Sequence, residues 1–319
     1  HLNFFHKANL DYWNNLGSLI HYKYMCLANL LTGNHLWADL VFYNAIYFAG
    51  MWLLYKTFYR MQPERKWGLL CMVFMIPSVM FWCSGIHKDG WVLAAIGGIL
   101  WNSVRLAEQF SWRLLAGMLA GMALLFVVRY FICLCFMLPF ILWVWYRYKN
   151  WDGRWLPLLY VLLVGLFFIS GEATGMHVTD IILSKREAFR HLHGMSDLQL
   201  PACTSSVSCF LQTFMASMNH VWLRPYFHWA DALKFQVAAL DSWMLALLFV
   251  ILLVQISRQK QEAFYYFLIS FALSMYLFIG FTVPNMGAIV RYKSENTVLL
   301  FTALYALAAH PDSRLFRKK

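Results

Sequence analysis

Long apolar runs separated by short polar connections dominate the chain. Runs at 35–58, 67–85, 90–104, 112–128, 131–146, 155–171, 243–257, 263–280 and 297–309 carry few or no charges. A helix needs about 20 apolar residues to cross a bilayer, fewer where it is tilted or partly inserted. The pattern predicts an all-α, polytopic bundle of about nine or ten membrane helices. A weaker run, Leu16 to Leu31, is interrupted by His21 and Lys23 and reads as an interfacial or partly inserted helix. The predicted segments are an outer N-terminal stretch (1–34), N-terminal membrane helices (35–171), an outer loop (172–242), and C-terminal membrane helices with a basic tail (243–319). The chain begins with His rather than Met, so a preceding membrane helix is expected.

Charge adds a direction to this pattern. Strict alternation of the runs places fifteen of the 26 Lys and Arg on one side, from Lys56, Arg60, Arg65 and Lys66 to the terminal Lys318 and Lys319. By the positive-inside rule that side is the cytoplasm. The net charge of +11 is then topology signal and contact with anionic lipid, and no nucleic-acid partner is implied. A hydrophobic fraction of 61% against 13% charged residues excludes an ordinary soluble domain. There is no Walker sequence and no H-E-x-x-H pair, so ATP-driven and zincin-type readings have no footing.

The outer loop holds its own signals. From Val178 to Met195, Ile181, Ile182, Phe189 and Leu192 fall near one helical face, with Lys185, Arg186 and Arg190 elsewhere. That suits a helix in the headgroup plane, or a solvated loop helix. Cys203 and Cys209 flank C-T-S-S-V-S-C and are candidates for a local disulfide, whereas the other five cysteines sit in apolar runs. His191 and His193 form an H-x-H pair whose side chains diverge by about 200° on a helix, so they do not converge on one metal.

Three polar interruptions fall at the predicted outer border, where charge is costly unless it pairs or meets a wet cavity. The first is S-G-I-H-K-D-G-W, Ser84 to Trp91, with His87, Lys88 and Asp89 at the start of a helix. It is either a capped turn with a snorkelling Lys, or a Lys for an anion beside a carboxylate for acid–base work. The second is Val128-Arg129-Tyr130, where Arg129 divides an apolar stretch and either binds phosphate or pairs with an acid such as Glu172. The third is Thr282 to Lys293, with Asn285 in a break and Arg291, Tyr292 and Lys293 before the last span. It suits a lipid phosphate or plain headgroup anchoring.

The run P-S-V-M-F-W-C-S-G-I-H-K-D-G (Pro77 to Gly90) resembles a stretch of bacterial multispan proteins related to the GT-C glycosyltransferases. So do P-N-M-G-A-I-V-R-Y-K (Pro284 to Lys293) and L-R-P-Y (Leu223 to Tyr226). The resemblance implies a GT-C-like bundle in the bacterial inner membrane with an active site on the outer face. It implies a polyprenyl-phosphate-linked sugar as donor and a glycan or lipid as acceptor. It also implies a catalytic acid in the first outer loop, where Asp11 is the only acid before Asp39. In this scheme Asp11 or Asp89 activates the acceptor, and Lys88, Arg129, Arg291 and Lys293 hold the donor phosphate. No cofactor is evident and no metal is demanded, although some relatives in the fold use a divalent ion. The alternatives are a membrane polysaccharide polymerase or ligase using undecaprenyl-linked repeats, a non-catalytic envelope scaffold, and a transporter. Against the last, no inverted repeat is visible and polar residues gather at one border.

Overall fold

The structure, a computed structural model, describes residues 16–174, 178–190, 207–226, 233–257 and 261–308. Among these the chain is all-helical, with one isolated antiparallel bridge between Ile256 and Ala308. It divides into two compact units, residues 1–134 and 135–319.

The first unit contains α1 (Leu16–Thr32), α2 (Leu36–Met61), a 3-10 turn (Pro63–Arg65), α3 (Lys66–Phe74), α4 (Pro77–Cys83), α5 (Asp89–Glu108) and the first half of α6 (Trp112–Lys149). α1 stops where Gly33 and Asn34 both take positive φ, a conformation that suits glycine and that asparagine tolerates. Pro77 forces the break between α3 and α4: Ile76 before it is extended, and the two pieces bend by 54°.

α2 and α5 run side by side in the same direction. Near their N-terminal ends, Asn44 Nδ2 donates to the Ser84 carbonyl over 3.1 Å. Midway, the backbones touch: a Cβ on Gly97 would overlap the Gly50 carbonyl oxygen, and one on Gly50 would lie 2.5 Å from Ala94 Cα. Small residues permit this close approach, a common device where lipid rather than water surrounds the helices. At the far end the Lys56 ammonium lies 5.4 Å from the Trp101 ring, and Arg60 pairs with Glu108. The first half of α6 returns antiparallel to α5. Gly117 lies beside Asn102, Gly121 beside Ile99, and Arg129 reaches Asp89 at the start of α5.

α6 has 38 residues, roughly 57 Å if straight, and a bilayer core is about 30 Å thick. Its helical course is interrupted at Arg129, which is extended (φ −150°, ψ 81°). The predicted division into 112–128 and 131–146 falls at this residue.

The second unit continues α6 from Cys135. A 3-10 turn (Gly153–Trp155) follows, then α7 (Leu156–Thr174), α8 (Val178–Arg190), α9 (Val207–Trp222), α10 (Leu233–Val254), α11 (Ala263–Thr282) and α12 (Met286–Leu307). Its core is built on α11 and α12. Phe136, Phe140 and Trp143 of α6 meet Phe264, Phe267 and Phe271 of α11 at centroid distances of 5.1–5.8 Å. Tyr276 and Thr297 share a buried hydroxyl bond of 2.7 Å across α11 and α12. α7 and α10 differ: among the described residues only 17% and 22% of their most apolar stretches are buried, against 72% for α11.

Among the described residues, five helices are long and apolar enough to cross a membrane: Asp89–Glu108, Trp112–Lys149, Gly153–Gly171, Phe235–Val254 and Ala263–Thr282. The bent pair α3–α4 makes a sixth if it counts as one span. This is fewer than the nine or ten expected, for identifiable reasons. The runs 112–128 and 131–146 are the two helices on either side of the kink at Arg129, counted together here as one. The runs 35–58 and 297–309 do form helices, α2 and α12. Tyr, Trp and Asn side chains lower the hydropathy of α2, and α12 carries Arg291, Lys293 and Glu295. The run 243–257 is part of α10, which begins earlier, at Leu233.

Candidate functional site

The Asp89 end of the first unit is where its interior charge gathers. Ser84 to Lys88 form a tight connection, with the His87 amide donating to the Gly85 carbonyl over 2.8 Å and the His87 ring packed against Gly85. A Cβ on Gly85 would lie 2.9 Å from that ring. α5 starts directly after it, and Asp89 sits in its first turn, where a carboxylate complements the helix dipole.

Asp89 is fully buried and ion-paired with Arg129, itself 8% exposed. The interruption of α6 at Arg129 places a guanidinium in the bundle interior opposite the α5 N-terminus. Lys88 is half-buried, and its Nζ donates to Ser18 Oγ on α1 over 2.7 Å. Gly17 allows α1 to approach, since a Cβ there would overlap the Val127 carbonyl oxygen. Two contacts thus tie three elements together at this end: Asp89–Arg129 joins α5 to α6, and Lys88, the residue before Asp89, is bonded to Ser18 of α1. Ser18 had no signal in the sequence beyond its place near the start of an interrupted apolar run.

Chemically, the buried Asp89 carboxylate accepts from the Arg129 guanidinium in a charge-assisted pair. The Lys88 ammonium donates to Ser18.

The other predicted residues are placed differently. Arg291, Tyr292 and Lys293 lie inside α12 rather than ahead of the last helix, because Asn285 starts that helix early. Asn285 is its N-cap: Oδ1 accepts from the Ala288 amide over 3.1 Å. Arg291 is half-buried with its guanidinium 5.7 Å from the Tyr292 ring, and that ring meets Phe189 of α8 at 5.9 Å. Lys293 is 3% exposed, which corrects the expectation of a border cation. Its Nζ donates to the Val221 carbonyl (3.0 Å) and to Ser242 Oγ (2.9 Å), tying α12 to the end of α9 and the middle of α10. Asp11, Cys203, His191 and His193 lie outside the described residues, as does the side chain of Glu172. Cys209, expected to pair with Cys203, is disulfide-bonded.

α8 has a polar inward side. Its inward side carries Thr179 and Arg186, which are 1% and 7% exposed, while Ile181 is 63% exposed. Thr179 and Arg186 are seven residues apart, two helical turns, so they share a face. The helix turns a polar face into the unit. Nearby, His220 at the C-terminal turn of α9 is 3% exposed and neither ring nitrogen has a hydrogen-bond partner among the described residues. The sequence offered no sign of either, because hydrophobic periodicity assigns Arg186 to the solvent side.

No family model matches the chain, and neither a curated protein nor a solved structure matches it.

Proposed function

We propose that the chain is an integral-membrane glycosyltransferase of the GT-C type, moving a sugar from a polyprenyl-phosphate donor to a glycan or lipid acceptor. The proposed place is the outer face of a bacterial inner membrane. The observation that supports this reading is the buried Asp89–Arg129 pair, with Lys88 next to it in the chain and bonded to Ser18, at one end of a set of long apolar helices. In the proposed reaction an acceptor hydroxyl attacks the anomeric carbon, the bond to the phosphate oxygen breaks, and polyprenyl phosphate leaves. Lys88 meets the developing charge on that phosphate. Arg129 orients Asp89, and Asp89 takes the acceptor proton once the donor phosphate draws Arg129 away.

A second reading is favoured by the closure of the pair. A fully buried carboxylate already joined to a guanidinium also suits an inert clamp between α5 and α6, as in a non-catalytic envelope scaffold. Transfer assays separate the two. The full chain in nanodiscs is given labelled polyprenyl-phosphate sugars and extracted acceptor lipids, with melting temperatures recorded alongside. The transferase reading expects turnover that Lys88→Ala lowers at least tenfold without a matching loss of melting temperature. Absence of transfer from every donor, with Asp89→Asn acting on melting alone, overturns it in favour of the clamp.

A further inference from the structure

We propose that the far end of α2 and α5 is a docking surface for an anionic phospholipid, with Lys56 and Arg105 at its phosphate and the exposed rings of α2 along its acyl chain. The surface lies at the opposite end of the first unit from Asp89 and stands independently of the transferase reading.

Two cations meet at one ring. Lys56 Nζ of α2 stands 5.4 Å from the centroid of the Trp101 indole, and the Arg105 guanidinium of α5 stands 5.5 Å from the same centroid. Trp101 and Arg105 are one turn apart on α5 and share a face. Lys56 reaches that face from the neighbouring helix and also stands 5.9 Å from the Trp52 ring. Both cations are exposed. A cation–π contact positions a charge without cancelling it. Among the described residues neither Lys56 nor Arg105 has an ion-pair partner: Glu108 pairs with Arg60, and Glu64 lies in the 3-10 turn past the end of α2. Two positive charges held at one indole attract an anion.

Beside the cations, four rings follow one another along α2. Phe48 stacks on Trp52 at 6.3 Å, Trp52 on Tyr55 at 5.6 Å, and Tyr55 on Tyr59 at 5.8 Å. Spacings of three and four residues keep them on one side of the helix, over about 16 Å of its length. Phe48, Trp52 and Tyr59 are 56%, 43% and 41% exposed. Phe74 of α3 backs the row, with its ring 5.8 Å from Phe48 and 6.3 Å from Tyr55. The row is graded in polarity: the phenyl ring is nearest the middle of α2, the indole follows, and two phenols lie toward the end. α5, packed alongside, is long and apolar enough to cross a membrane. The order of the rings matches the passage from acyl chain to headgroup, where Trp and Tyr gather.

Charge and apolar surface together choose the occupant. An inorganic phosphate would use the cations alone and leave the rings uncovered. A zwitterionic headgroup would bring its own ammonium to two cations already present. An anionic phospholipid suits both parts: its phosphate accepts from the Lys56 ammonium and the Arg105 guanidinium, and an acyl chain lies along the rings. The distribution of Lys and Arg assigns this end to the cytoplasm, and the cytoplasmic leaflet is the anionic one.

Lipid retention tests the proposal. The full chain is released from nanodiscs of equal phosphatidylglycerol and phosphatidylcholine content, and bound lipids are counted by native mass spectrometry. Phosphatidylglycerol should be retained at least fivefold over phosphatidylcholine. Lys56→Gln and Arg105→Gln should each lower that retention at least threefold. Trp101→Leu should lower it as much with no change of charge, because it removes the ring that holds both cations. Lys149→Gln, at an exposed cation on the Tyr148 ring in the second unit, should leave it unchanged. The Lys56 and Arg105 variants alter only exposed side chains, so they carry the test should Trp101→Leu fail to fold. Equal retention of the two lipids overturns the proposal, as does a loss in Lys149→Gln matching that in Lys56→Gln, which would make the attraction a diffuse one. Replacing chloride by inorganic phosphate at equal ionic strength should displace nothing. Displacement would give the cations to a soluble phosphate and overturn the lipid as occupant.

Discussion

Two ion pairs hold opposite ends of the first unit, and burial separates them. Asp89–Arg129 joins α5 to α6, with side-chain exposures of 0% and 9%. Arg60–Glu108 joins α2 to the far end of α5, with exposures of 45% and 38%. Both use arginine and a carboxylate. In water, the exposed pair exchanges good solvation for modest attraction and is weakened by salt. The buried pair has lost its solvation, and each partner now depends on the other. The same residue types thus make a surface contact at one end and an obligatory junction at the other. Candidate chemistry belongs at the second end, because only there does charge stand where an interior would otherwise reject it.

The largest expected effect tests that dependence. Arg129→Ala leaves Asp89 charged and alone in the interior, and a loss of about 3–5 kcal/mol is expected from such a break. Thermal unfolding in detergent reads it as a large drop in melting temperature. Replacing both partners, Asp89→Leu with Arg129→Met, should recover much of that loss, since two apolar side chains need no compensation. A double variant as unstable as Arg129→Ala would mean that the pair is not what closes this end.

The middle of the bundle gives the next effect. Gly97→Leu puts a side chain where the Gly50 carbonyl lies, and backbone cannot yield as a flexible side chain can. Overpacking of this kind costs about 1–3 kcal/mol. Gly98→Leu on the next residue has open space and should melt like the parent. Equal melting of both variants would show that α2 and α5 do not touch at Gly50.

The smallest effect belongs to the exposed pair. Arg60→Ala should change the melting temperature by no more than the scatter between preparations, and 1 M salt should remove any difference that remains. A loss comparable to that of Arg129→Ala would end the contrast between the two ends.

Legibility in the sequence followed the same division. The break at Arg129 was visible because one arginine interrupts an otherwise apolar stretch, and an interior charge must be accommodated somewhere. Lys88 and Asp89 were visible for the same reason. Lys293 stood out equally, yet it serves to tie α9, α10 and α12 together. A lysine that caps buried carbonyls and one that meets a headgroup look alike until their neighbours are known. Arg186 and His220 did not stand out. Arg186 was assigned to the polar side of an amphipathic helix, and periodicity defines such sides without saying which one turns inward.

By itself the sequence determined that the chain is all-helical with several membrane-length helices, because apolar runs of that length have few other ways to satisfy their backbone in lipid. It also determined where those helices are interrupted, since proline at 77 and arginine at 129 act on their own backbone and solvation. Only the tertiary structure decided which acid meets Arg129, that Lys293 is engaged by the Val221 carbonyl and the Ser242 hydroxyl, and that α8 turns Arg186 inward. Those outcomes depend on contacts between residues far apart in the chain, 40 positions for Asp89 and Arg129 and 72 for Val221 and Lys293. Local propensity and periodicity carry no record of such distances.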